Sequence, residues 1–343
     1  MVDGSNRLPC EHTIGHSEEV LYMSFITYHS QPLLRDPIML VAFAGWNDAA
    51  EAATATVKFL IDKWKPEKLA EIDSEDFFDY TETRPTVRLV EGIQRTIVWP
   101  TNVFYAYTNP EFTRDVILVQ GFEPQLKWKT FTDAFLQVCK RFSVSEAVFL
   151  GALLAEVPHT IDVPISGTSS ERDVLERLRE MDIRGSRYEG PTGILGVLQE
   201  ACHAAHIPAA SFWAAVPHYL AATPNTKVTS ALLTYVNTFL SFGLDLNSIQ
   251  SEALHFDEQI TQLVARNPEA SAYVKRLEQQ VEEDDEDEDD EDNEDGEETG
   301  NYLDKAISTG PLPSADMLIR DVEELLRKER ENGPPLFDDE EDE

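Results

Sequence analysis

Four stretches of the chain are continuously apolar and bounded by turn residues: Ile38–Phe43, Asp115–Gln120, Glu146–Gly151 and Ser211–Val216. Runs this short, apolar at odd and even positions alike, predict strands buried on both faces, as in a sheet with helices on either side. The segments between them carry a helical period. An Ala-rich helix is expected up to Trp64, with Asn47 or Asp48 as its N-cap and Pro66 as its breaker. Phe131, Phe135 and Val138 mark one stripe of a helix from Trp128 to Phe142. A charged helix covers Ser170–Met181, and Gly190–Gly196 opens another that ends near Ala205. Shorter strands are expected at Lys68–Asp73 and Val103–Tyr107, with an antiparallel pair formed by Val87–Val90 and Arg95–Trp99.

This alternation predicts an α/β class and a three-layer α/β/α domain over residues 26–243, with a mixed, mostly parallel sheet. No strand signal remains after residue 225. Thr226–Gly243 reads as an apolar helix, and Asn247–Arg266 as an amphipathic one through Leu254, Ile260 and Leu263. Asn267-Pro268 reads as a cap with proline in the first helical position, opening a helix that carries Tyr273, Leu277 and Val281. Residues 244–281 therefore form a C-terminal helical pair, packed on the domain or on a neighbouring subunit.

Charge changes the picture at the ends. The 343 residues carry 28 Lys+Arg against 64 Asp+Glu, a net charge of −36. Residues 282–298 hold 15 acidic side chains in 17 positions, and such a run repels itself too strongly to pack. Residues 1–25 are expected to be a flexible extension, 282–300 a disordered acidic linker, 301–331 a short amphipathic helical segment and 332–343 an acidic tail. A chain this acidic repels phosphate backbones and anionic membrane surfaces, so neither nucleic acid nor membrane is an expected partner. Residues 201–226 lack Asp, Glu, Lys and Arg. Three prolines and three histidines there argue for a buried helix end, a strand and a loop rather than a membrane span. Cys10, Cys139 and Cys202 form neither a metal spacing nor an even disulfide framework, which fits a reducing cytoplasm.

The candidate chemistry lies just after the apolar runs. In a parallel sheet, loops leaving the carboxyl ends of the strands share one edge, where ligands usually sit. Four motifs fall there: Gly45-Trp46-Asn47-Asp48, Gly121-Phe122-Glu123-Pro124, Val157-Pro158-His159-Thr160 and Val216-Pro217-His218-Tyr219. Thr192, in Gly190-Pro191-Thr192-Gly193, stands at a helix start as an N-cap candidate. The candidate crevice is thus Trp46, Asn47, Asp48, Glu123, His159, Thr192, His218 and Tyr219, able to hold a small polar or anionic ligand. Each residue also has a plain structural reading as a cap, a turn or a hydrogen-bonding strut. Asp76, Asp79 and Arg84 suggest an ion pair that holds a loop. Ser166–Ser170 reads as a loop and cap. No nucleophile elbow, P-loop, His-Glu-x-x-His or metal spacing occurs, so no cofactor or metal is expected and no catalytic residue can be assigned.

Taken in order, Gly45-Trp46-Asn47-Asp48-Ala49, Asp76-x-x-Asp79-Tyr80 with Arg84-Pro85, Gly121-x-Glu123-Pro124 with Trp128, and the Pro158-His159, Gly190-Pro191-Thr192-Gly193 and Pro217-His218-Tyr219 motifs resemble the proteasome assembly chaperone 2 family, its actinobacterial branch above all. A terminal Pro313-Ser314-Ala315-Asp316 helix start fits the same resemblance. It implies a phosphorylase/hydrolase-like three-layer fold and homo-oligomers, a trimer being the simplest guess. It also implies a non-catalytic, chaperone-like protein with proteasome subunits as partners. Members that dock through their tails end in a hydrophobic residue, Tyr and one more residue. Here the sequence given finishes Asp338–Glu343, so docking by tail insertion is not expected. The alternative is a small-molecule hydrolase, phosphorylase or carboxylate–amine ligase, with His159 or His218 as general base and Asp48 or Glu123 orienting it.

Overall fold

The computed structural model describes residues 25–290 except 91–92, 187 and 222–223, together with Glu324. Its main sheet has eight strands. In chain order they are β1 (Ile26–Tyr28), β2 (Ile38–Ala44), β3 (Glu67–Ile72), β6 (Asn102–Tyr107), β7 (Val116–Phe122), β8 (Glu146–Ala155), β9 (Ile165–Ser169) and β10 (Ala209–Pro217). The spatial order is β1-β3-β6-β7-β2-β8-β10-β9. The remaining two, β4 (Thr86–Val90) and β5 (Gln94–Val98), pair, among the described residues, only with each other as an antiparallel ribbon.

The sheet is mixed, as the sequence predicts. Neighbouring strands are parallel through the central β7-β2-β8-β10, while β1, β3, β6 and β9 pair antiparallel with their neighbours; β3 still points the same way as the central four. The four continuous apolar runs are these central strands, as two-sided burial requires. Along β2, Ile38, Leu40 and Ala42 face one helical layer, and Met39, Val41 and Phe43 face the other. The first layer holds α1 (Ala52–Trp64), α3 (Arg172–Arg179) and α5 (Thr226–Phe239); the second holds α2 (Trp128–Arg141) and α4 (Ile194–Ala204). Phe131, Phe135 and Val138 of α2 are buried, in line with their stripe.

Two helices close the chain's described part: α6 (Asn247–Arg266) and α7 (Pro268–Asp290). Phe256, Ile260 and Val264 of α6 pack with Ala270, Val274 and Leu277 of α7 against Tyr219 and Leu220, which lie just beyond β10. Leu254 stands on the exposed side of α6 instead. The Asn267 side chain accepts from the Glu269 and Ala270 N–H groups, as a cap ahead of Pro268 should.

Three expectations need correction. Ser166–Ser170 is not a loop: Ile165–Ser169 is the edge strand β9. Its polar outer edge hides the strand signal, and the Thr168 hydroxyl meets that of Ser211 on β10 at 2.7 Å. Residues 26–28 add a strand that the sequence left unmarked. The acidic run is not disordered from 282 onward, because α7 continues to Asp290. Glutamate is a good helix former, and a helix satisfies its backbone without burying side chains. The expectations for residues 1–24, 291–300 and the segments beyond lie outside the described residues, apart from Glu324.

At the amino edge of the central strands, Glu146 is buried between two guanidinium groups, Arg114 at 2.7 Å and Arg177 at 2.5 Å. Arg177 also donates to the Phe239 carbonyl and lies over the Phe239 ring. The triad ties β8 to α3 and α5, and nothing in the sequence pattern marked it.

Candidate functional site

The four motif loops do leave one edge, because β2, β7, β8 and β10 are parallel and end at Ala44, Phe122, Ala155 and Pro217. Their side chains nonetheless gather in two separate clusters.

The first is centred on Glu123. One carboxylate oxygen accepts from Asn47 Nδ2 at 2.9 Å and from the Ile194 N–H at 2.8 Å; the other accepts from the Trp46 N–H at 3.3 Å. Glu123 thus occupies the amino terminus of α4, where a carboxylate meets free N–H groups and the positive end of the helix dipole. It does the work expected of Thr192, whose hydroxyl turns to the Gly193 carbonyl and caps nothing. Asn47 is fully buried, and its backbone carbonyl receives the Ala152 N–H of β8. Gly45 permits the turn: its φ of +137° is a conformation that side chains disfavour.

Asp48 faces away from this cluster. Its carboxylate accepts from the Ala53 and Thr54 N–H groups and from the Thr54 hydroxyl. Asp48 thus satisfies the first N–H groups of α1 from outside it, but the N-cap position itself is Glu51: regular helix begins only at Ala52, after a tight turn in which Ala50 and Glu51 take positive φ. Asn47 does not cap this helix. Burial pushes the Asp48 pKa up to about 6, despite the three donors.

The second cluster joins the two imidazoles through tyrosines. His159 places Nδ1 2.8 Å from the Tyr219 hydroxyl, which also accepts the His159 N–H at 2.7 Å. Its Nε2 meets the Thr261 hydroxyl of α6 at 3.2 Å. His218 meets the Tyr273 hydroxyl of α7 through Nε2 at 3.1 Å. Lys227 bonds Asp257 of α6 at 2.9 Å and the His159 carbonyl. Burial lowers both imidazole pKa values, against the nearby charges of Asp257 and Glu278 on His159 and of Glu156 on His218. Burial also raises the Tyr219 pKa. A small cleft of about 10 Å³ beside the network is lined by His159, Asp162, Asn225, Lys227 and Asp257 among apolar residues. Sequence reasoning missed Thr261, Lys227 and Asp257. Tyr273 was visible only as one position of an apolar stripe.

No carboxylate–imidazole pair forms here. Asp48 and Glu123 bond to backbone N–H groups, a threonine and an asparagine, and His159 and His218 bond to tyrosines and a threonine. The direct imidazole–carboxylate bond that the hydrolase alternative would use at its general base is not formed. The expected loop ion pair is also absent. Asp76 pairs with Lys127, Asp79 accepts from Thr81, and Arg84 is exposed without an ion pair among the described residues. Within the same residues no three His, Cys, Asp or Glu side chains are placed to hold a metal ion, and no helix is long and apolar enough to cross a membrane.

These groups predict opposing pH effects. With its pKa raised from 3.8 to about 6, Asp48 contributes stability that is fully present below pH 3.8 and lost as pH rises through 6. The imidazoles, held below 6.5, contribute stability present above pH 6.5 and lost as pH falls through their lowered values. Asp48→Asn removes the first effect and leaves the second. Its chemical-denaturation midpoint should therefore fall more steeply than the wild type's between about pH 6.5 and 4; parallel profiles would contradict these assignments.

Comparison with known proteins adds the following. The PAC2 family's model matches residues 42–264. A PAC2 family protein from Streptomyces avermitilis is 42% identical, with a TM-score of 0.64, covering 70% of this chain and 100% of that one. A proteasome-assembly chaperone homologue from Mycobacterium tuberculosis is 41% identical, with a TM-score of 0.63, covering 69% and 99%. PbaB from Pyrococcus furiosus, an archaeal proteasome activator, shares the fold at 17% identity and a TM-score of 0.56, covering 69% and 97%. No curated protein matches the chain.

Proposed function

The chain belongs to the PAC2 family, and from that premise we propose that it is a non-catalytic, chaperone-like protein that binds proteasome subunits. The observation that carries this reading is the 41% identity to a proteasome-assembly chaperone homologue across 99% of that protein. The site geometry supports it: the carboxylates and imidazoles at the strand ends serve as caps and struts, and each has protein partners. The proposal includes homo-oligomeric assembly, trimeric in its simplest form, and a cytoplasmic setting alongside the proteasome.

Tagged full-length protein incubated with recombinant actinobacterial proteasome α- and β-subunits provides the test. Retention of α- or β-subunits, with faster appearance of assembled rings in native gels, is the expected outcome. Failure to retain either subunit, with unchanged assembly kinetics, would overturn the proposal.

A further inference from the structure

The exposed large apolar side chains are concentrated at one end of the molecule. Of twelve such residues among those described, all but Leu33 and Leu254 belong to the β4–β5 ribbon, its flanks, or the loops after β2 and β7: Trp46, Val87, Leu89, Val90, Ile93, Ile97, Val98, Trp99, Phe122 and Leu126. Ring contacts join these segments, since Trp99 packs on Tyr80 and Phe122 on Phe78, within the loop that precedes the ribbon. The Leu126 N–H bonds the carbonyl of Phe77 in that same loop.

The ribbon itself is unsupported. All ten of its strand residues are exposed, and among the described residues it pairs with no third strand. Two strands alone are marginal in water, and contiguous apolar patches of this size usually mark an interface. Its pleat puts Val87, Leu89, Arg95 and Ile97 on one face. Ile93, 88% exposed, stands at the tip.

We infer that this ribbon and its apolar rim are a contact surface for a second copy of this chain, the ribbon of one copy lying against the acidic body of the next. This locates the self-association named in the proposed function and rests on that part of it. Two observations select a second copy. The first is charge. Residues 84–99 hold three arginines against one glutamate, whereas residues 1–281 together hold 23 Lys+Arg against 36 Asp+Glu. Arg88 and Arg95 are exposed and make no ion pair among the described residues, so another copy's body offers them a complementary surface. The second is area. Ten apolar residues about half exposed present on the order of 800 Å² per copy, one partner's share of a standard interface. A contact between unlike patches closes into a ring when its rotation allows.

Light scattering coupled to gel filtration tests this with the full chain. Wild type should show a multiple of the 38.7 kDa chain mass. Leu89→Asp/Ile93→Asp/Ile97→Asp should run at the single-chain mass, with an unchanged circular dichroism spectrum because all three side chains are exposed. Arg88→Glu/Arg95→Glu should weaken association at least about tenfold, in a salt-dependent way. A triple variant that keeps the wild-type mass overturns the inference while leaving self-association intact. A single-chain wild type overturns both, leaving the patch to an unrelated protein or to residues 301–331 of this chain. Mass decides this question and subunit capture decides the chaperone reading, so either can fail without the other.

Discussion

Replacing Glu123 with alanine should lower the unfolding free energy by about 4 kcal/mol, because it strands several donors at once. The Ile194 N–H, the Asn47 amide and the Trp46 N–H all lose their acceptor. Asn47 is fully buried and cannot recruit water without opening the junction between the β2 loop and α4. Glu123→Gln keeps one acceptor oxygen for Ile194 and Asn47 but turns an amide donor toward Trp46, so about half of the loss should remain. Urea unfolding followed by tryptophan fluorescence measures both. A carboxylate reserved for a ligand would be replaceable at little cost, so a loss below about 1 kcal/mol for Glu123→Ala would return Glu123 to the list of ligand-binding candidates.

Gly121→Ala should cost at least about 3 kcal/mol and reduce soluble yield sharply. A methyl group at this position of β7 would lie 1.7 Å from Asn102 Oδ1 and 2.7 Å from Asn102 Cα on β6. Asn102 is fully buried, and its Oδ1 accepts the Phe122 N–H at 2.7 Å, so the clash also breaks a bond that holds the end of β7. The backbone atom is the decisive obstacle. Adding Asn102→Ala clears the side chain but not Cα, so the double variant should recover little. Recovery to near wild-type stability would show that β6 and β7 can separate at this corner.

Both effects arise where the sequence is least explicit. Gly121 reads as the end of an apolar run and Glu123 as a member of a crevice. Neither reading predicts that one meets a backbone on a neighbouring strand while the other caps a helix that starts some seventy residues later. The polar edge strand Ile165–Ser169 is comparable, being visible only through its pairing with β10.

The sequence by itself determined the class of fold, the four buried strands and most of the helices, because two-sided burial and the helical period are local properties written in short windows. It also determined which loops share the carboxyl edge, once the central strands are parallel. Only the tertiary structure decided what the side chains on that edge do. Whether Glu123 faces an imidazole or a helix terminus, whether His159 and His218 meet carboxylates or tyrosines, and whether the ribbon is covered or left bare all depend on contacts between residues tens to more than a hundred positions apart. The free energy of such contacts is set by the geometry and burial that the assembled layers impose, which no window of sequence contains.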